Sequence, residues 1–251
     1  MKRLGRGSLE GDATSLLPYL SMGRVGNAIG THLALPQLRG FWPMSSIDDS
    51  FNAYDLSGQN RTLTANSLTS ASFGTSSLTP YVDFDGTADY YSRADEAGLD
   101  LGNDLTSGGW FYFDGTSTTS QIIGKGVSGT NISFKMTQTN ADLASVVHDG
   151  TSADTKTYTS QIVAGWHHLV QVAYLDTNIK HLIYFDGEAL AEQTSSLTTI
   201  NNSTAAFTIG SISGGGNYFD GRASMCFICN TILTAAHVAA LFSVSRGLYS
   251  V

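Results

Sequence analysis

The side chains able to do acid–base or metal chemistry are few and scattered in this sequence. Cleaving a glycosidic bond needs two carboxylates at a set separation, one as acid and one as base or nucleophile. The 251-residue chain holds only four glutamates, Glu10, Glu96, Glu188 and Glu192. Asp176 and Asp186 occupy turn sequences, where their role in shaping the backbone is sufficient explanation. His167 and His168 are neighbours on a strand-like run, so their rings face opposite ways and do not share a metal. Cys226 and Cys229 stand three apart on another such run. Their side chains diverge as well, which predicts two reduced, buried thiols and no redox pair. The run Gly124-Lys125-Gly126-Val127-Ser128-Gly129 has the glycine spacing of a dinucleotide loop, but such a loop opens a helix. The next run, Ile132-Ser133-Phe134-Lys135-Met136, alternates like a strand, so a hairpin is expected. No residue is assigned a catalytic role.

Binding offers better candidates. Tyr90, Asn217 and Tyr218 fall in loop-like sequence, the last two directly after Gly214-Gly215-Gly216. Exposed rings stack on sugar faces, and loops at the edge of a sandwich carry ligands in many such folds. They are the candidate carbohydrate-binding residues. Trp110 and Tyr112 share one face of a strand whose other face carries Phe111 and Phe113, a pattern that reads as core. Asp48, Asp49 and Asp55 supply oxygen atoms of the kind calcium accepts, which makes calcium the one candidate cofactor.

Glycine is abundant at 27 residues, proline is scarce at 4, and only 14% of residues are charged. Such a composition suits an all-β protein with many tight turns. From residue 38 onward, short strand-like runs alternate with turn signals. Tyr81 to Phe84 precedes Asp85-Gly86, and Trp110 to Phe113 precedes Asp114-Gly115. His168 to Leu175 and Ile179 to Phe185 flank a turn at Asp176-Thr177-Asn178, and Asp186-Gly187 turns the chain again. One segment differs. Thr234 can cap a helix in which Val238, Leu241 and Phe242 share a face.

Residues 1–37 show no sustained period and read as an extended arm. Residues 1–40 carry Lys2, Arg3, Arg6, Arg24 and Arg39 against Glu10 and Asp12, a net +3. The whole chain is at −8, so the remainder is strongly acidic and nucleic acid is an unsuited partner. Lys2, Arg3, Arg6 and Arg24 are the candidate contacts of an assembly arm. No secretory leader and no apolar run long enough to cross a membrane is evident.

The order of motifs resembles that of bacterial and phage laminin-G-like domains. Phe41-Trp42-Pro43 followed by Tyr54-Asp55-Leu56-Ser57-Gly58 is similar to their opening strand and loop. Val82-Asp83-Phe84-Asp85-Gly86 resembles their next strand, Gly165-Trp166-His167-His168 their Trp-His strand, and Tyr184-Phe185-Asp186-Gly187 their hairpin. Phe219-Asp220-Gly221-Arg222 and the short helix resemble their close. The resemblance covers roughly residues 38–245. It implies a concanavalin A-like jelly-roll β-sandwich of two antiparallel sheets with one short C-terminal helix, preceded by the arm. It leaves function open, since the fold hosts lectins, adhesins, structural modules and glycosidases. Where the family carries an acidic pair near a structural calcium, this chain has Ala223, Ser224 and Met225. Related glucanases carry Glu-x-Asp-x-(x)-Glu on one strand, which is absent here. The expectation is a non-enzymatic virion structural protein, such as a phage decoration, tail or fibre component assembled in the host cytoplasm. Its expected partners are other virion proteins, further copies of itself and glycans, with no membrane. A bacterial adhesin is the alternative, and a glycoside hydrolase ranks third.

Overall fold

Strands alternating inward apolar and outward polar residues, separated by glycine and aspartate turns, close into two facing sheets. The computed structural model describes residues 37–45, 50–76, 79–115, 117–127, 129 and 131–249. The arm, including Lys2, Arg3, Arg6 and Arg24, lies outside these residues, as do Asp48 and Asp49.

The larger sheet contains β1 (Leu38–Trp42), β3 (Phe73–Ser76), β4 (Thr79–Asp85), β6 (Leu105–Phe113), β11 (Gly165–Leu175) and β12 (Ile179–Phe185). The short β13 (Glu188–Ala189), β14 (Gln193–Thr194) and the long β16 (Asp220–Cys229) complete it. Its order is β13-β12-β11-β6-β16-β4-β3, with β1 also paired to β16 and β14 to β12. The smaller sheet contains β2 (Thr64–Asn66), β5 (Tyr90–Arg93), β7 (Ser117–Gly126), β8 (Ile132–Asn140), β9 (Asp142–His148), β10 (Ala153–Tyr158) and β15 (Phe207–Ile209). Its order is β10-β9-β8-β7-β15-β5-β2. Every pairing is antiparallel. This is the expected all-β sandwich with jelly-roll connections.

The turns form where glycine and aspartate predict them. Asp186 and Gly187 adopt φ of 50° and 86°, the two left-handed positions that a tight hairpin demands. Strand β7 runs to Gly126, which pairs with Ile132 of β8, so the two strands form a hairpin and no helix follows among the described residues. Between the sheets lie Trp42, Phe84, Tyr91, Phe111, Phe113, Phe134, Phe207 and Phe219, all buried.

A second apolar layer covers the outside of the larger sheet. Helix α1 (Ala235–Ser245) starts at Thr234, whose side chain accepts from the His237 amide. Val238 and Leu241 point onto Trp110, Val170, Val172, Tyr184 and Phe227. An eleven-residue helix is marginal alone, so this packing holds it. Leu241→Ala is expected to cost about 2–5 kcal/mol, while Ala239→Ser at an exposed position costs well under about 1 kcal/mol. Urea denaturation midpoints check this, and equal small effects would mean the helix is not docked.

Strand β16 is central and covered on both faces. Cys226 faces the core between the sheets and Cys229 the layer under the helix, both buried and unpaired. Its uneven alternation has a backbone cause as well. The register against β6 shifts between Ser224 and Phe227, and Met225 takes a φ of 49°. This bulge inserts one extra residue and flips the faces of the residues beyond it. Among the described residues no helix is long and apolar enough to cross a membrane.

The two histidines of the Gly165–Leu175 strand diverge as expected. His167 meets Phe113, Phe185 and the Asp186 carboxylate, at 2.8 Å from its Nδ1. His168 lies between Trp110 and Phe242 beneath α1. Burial pushes the His168 pKa down to about 4 against the opposing pull of Asp186. Burial does the same to His181, down to about 4. The unfolded chain therefore binds more protons than the folded one between pH 6.5 and about 4. Stability is full above pH 6.5 and falls as pH drops through that window, by up to about 3 kcal/mol for each ring. The denaturation midpoint measured from pH 7 to pH 4 should fall, and less steeply in His168→Phe, which keeps a ring but cannot titrate.

Candidate functional site

The outer face of the smaller sheet is where polar side chains, small side chains and a loop wall meet. On β8, Phe134 and Met136 turn into the core, so Lys135, Thr137 and Thr139 turn outward. On β9, Leu143 and Val147 turn in, leaving Ala144 and Val146 outside. The register then aligns these outward residues across strands. Gly124, Lys135, Val146 and Thr155 form one row. Thr137, Ala144 and Thr157 form the next. Small residues in the middle and hydroxyls at the sides make a trough of about 490 Å³, with Asp142 as the one carboxylate among its described lining residues and Asn217 on its border.

The border is built by residues 210–218. The Asn217 carbonyl accepts from the Gln121 amide at 2.9 Å, Ser213 N donates to the Gly126 carbonyl at 2.9 Å, and Phe219 N returns to the Gly210 carbonyl at 2.8 Å. Beneath this loop, the buried Gln121 donates to Thr208 Oγ1 at 2.8 Å and to the Ser211 carbonyl at 2.7 Å. The loop needs its glycines, since Gly214, Gly215 and Gly216 all have φ between 85° and 110°. Asn217 itself sits at φ 46°, which Asn tolerates better than most residues. Tyr218 is next along the chain, its ring 6.1 Å from that of Tyr90. Tyr91 is wholly buried in the core, so its neighbour Tyr90 projects outward. Of the three carbohydrate candidates, Asn217 borders the trough, while Tyr218 and Tyr90 set their rings next to each other outside its lining. Tyr90 opens strand β5 and does not lie in a loop, because its neighbour Tyr91 is drawn into the core.

The calcium candidate within the described residues is spent on structure. Asp55 Oδ1 accepts from the amides of Phe41 at 3.0 Å and Ser57 at 2.8 Å, and Oδ2 accepts from Arg61 N at 2.8 Å. Among the described residues no group of three or more His, Cys, Asp or Glu side chains is placed to hold a metal.

A second cavity, of about 410 Å³, is lined by Asp83, Asp85, Asp89 and Asp220 with Ser67 and Ser72. Asp85 Oδ1 receives three backbone amides, from Thr87, Ala88 and Asp89, at 2.8–3.1 Å. These bonds hold its pKa below the usual value despite the opposing effect of burial. Burial and the nearby Asp85 charge push Asp89 up.

Sequence reasoning missed the trough residues. The signal was present in the alternation of Phe134 to Thr139, but it marks only a polar face, and the trough needs the small Ala144 of the neighbouring strand.

No match is found among curated protein sequences. Solved structures share the fold. The binding domain of botulinum neurotoxin serotype D superposes with a TM-score of 0.64 at 10% identity, over 83% of this chain and 52% of that one. The binding domain of Paraclostridial Mosquitocidal Protein 1 does so at 0.62 and 14%, with the same coverage. A botulinum neurotoxin type C structure, described as dependent for cell entry on interaction with two ganglioside molecules, matches at 0.62 and 12% over 88% of this chain and 52% of that one. This chain spans about half the length of each, and the likeness is one of fold. The laminin-G-type family model matches residues 85–239, more than half of the sequence, and the chain belongs to the concanavalin A-like lectin/glucanases superfamily.

Proposed function

We propose that the domain is a non-catalytic glycan-recognition module, and that in its native setting it is a surface component of a virus particle, anchored through the basic segment 1–37. The observation that supports recognition is the trough on the outer face of the smaller sheet, bordered by Asn217, whose chain neighbour Tyr218 pairs its ring with Tyr90. Hydroxyl and amide groups around a shallow cleft suit the hydroxyls of a sugar chain, and adjacent rings suit its apolar faces. The superfamily includes lectins by its description, and the toxin domains of similar fold are binding domains. One carboxylate in the trough falls short of the pair that glycoside hydrolysis needs. The anchoring role draws on the charge contrast between residues 1–40 and the acidic remainder.

A glycan array with the full chain tests recognition. Tyr218→Ala is expected to weaken the best ligand by about tenfold, and Asn217→Ala by a similar factor. Array signals that neither substitution alters would move the site elsewhere.

The acidic cavity favours a second reading, hydrolysis, because neighbouring carboxylates pushed in opposite pKa directions suit an acid and a base. Release of reducing sugar from a polysaccharide panel, abolished by Asp89→Asn, would establish it. Hydrolysis ranks second because Asp89 is only 6% exposed and Asp85 is committed to its turn.

A further inference from the structure

We propose that the trough takes an acidic oligosaccharide, with Lys135 holding a carboxylate or sulfate of the bound sugar. The proposal rests on the reading of this face as glycan-recognising and adds the chemical class of the glycan.

The two lysines of the β7–β8 hairpin differ in how their charge is met. Lys125 turns inward and meets Asp95 at 2.7 Å and Asp100 at 2.5 Å. Lys135 turns outward into the trough, and among the described residues no ion pair or hydrogen bond reaches its ammonium group. The charge is nevertheless partly withdrawn from water, since the side chain is only partly exposed. Its stem lies against the backbone of Gly124. A Cβ on Gly124 would stand 2.8 Å from Lys135 Cα and 3.1 Å from its Cγ, so the absence of a side chain there makes room for the lysine. Val146 is its cross-strand neighbour on the other side. Burial lowers the Lys135 pKa and no nearby carboxylate counters it. A partly buried cation without a partner is costly, and an arriving anion removes that cost.

The surroundings define the rest of the ligand. The trough's one acid, Asp142, already accepts from the Ser160 amide at 2.8 Å. The other polar groups are threonine hydroxyls and the Asn217 amide. A single cation among hydroxyls fits a molecule with one anionic group on a hydroxyl-rich ring. A nucleic acid strand, with a charge on every unit, calls instead for a track of cations.

The test uses the full chain on an array of neutral, uronate-containing, sialylated and sulfated glycans. Titration calorimetry then compares the best acidic ligand with its uncharged counterpart (methyl-esterified or desulfated). The acidic form is expected to bind at least tenfold tighter, with Lys135→Gln erasing that difference and Lys135→Arg keeping most of it. Which acidic class wins tells carboxylate from sulfate. Equal binding of acidic and neutral forms, unchanged by Lys135→Gln, would overturn the charge assignment and leave glycan recognition standing. Absence of binding to every glycan would overturn both.

Discussion

Replacing Asp95 and Asp100 together by Asn is expected to destabilise the protein by about 3–5 kcal/mol, and by more than Lys125→Met does. The asymmetry comes from burial. The Lys125 side chain is fully buried, while those of Asp95 and Asp100 keep 34% and 22% of their exposure. A carboxylate that loses its partner here recovers hydration. The ammonium group cannot, and it would keep only neutral acceptors, the Ser203 carbonyl and the new amide oxygens, with no counter-charge. Methionine at 125 fills similar volume without a charge. Urea midpoints of the three proteins at pH 7 decide the matter. A Lys125→Met variant less stable than the double Asn variant would show that the lysine stem's packing, and not its charge, dominates. The cluster matters for the trough because Lys125 stands next to Gly124, against which the Lys135 stem lies.

Trp110→Ala is the second large effect, about 3–5 kcal/mol. Trp110 is 1% exposed and stacks on Tyr249 with ring centroids 4.2 Å apart. Its Nε1 donates to Ser245 Oγ at 2.9 Å, tying the sheet to the end of α1. Trp110→Phe keeps most of the packing and gives up that hydrogen bond. Ser245 retains a partner, since its hydroxyl also donates to the Leu241 carbonyl at 2.7 Å, so the expected cost is about 1 kcal/mol. Loss of near-ultraviolet circular dichroism in the Ala variant, with the β signal retained, would mark detachment of the helix layer. Equal costs for the two variants would assign the hydrogen bond more weight than the packing.

Local chemistry was legible in the sequence. The turn at Asp176-Thr177-Asn178 placed the hairpin of His168–Leu175 and Ile179–Phe185, and Asp186-Gly187 the turn after it, because turn chemistry and side-chain direction on a strand are set locally. The divergence of Cys226 and Cys229, the helix with Val238 and Leu241 inward, and the strand after Gly126 came from the same local rules. The convergence of Tyr90 with Tyr218, 128 residues apart in sequence, was not legible there, since loop-like composition singles out each ring without pairing them.

The tertiary structure alone decided which residues share an environment. Lys125 and Lys135 sit on adjacent strands in similar sequence, and nothing local separates them. One is sealed by two carboxylates from residues 95 and 100, the other opens onto a trough lined by Ala144 and Val146 of the neighbouring strand. Asp55, an oxygen donor by composition, is surrounded by the amides of Phe41, Ser57 and Arg61. Strand register and sheet order set these neighbours, and both depend on pairings between residues far apart in the chain. The sequence thus determined the sandwich and the faces of its strands, while the electrostatic partner of each charge was settled only when the sheets closed and fixed how far each group lies from water.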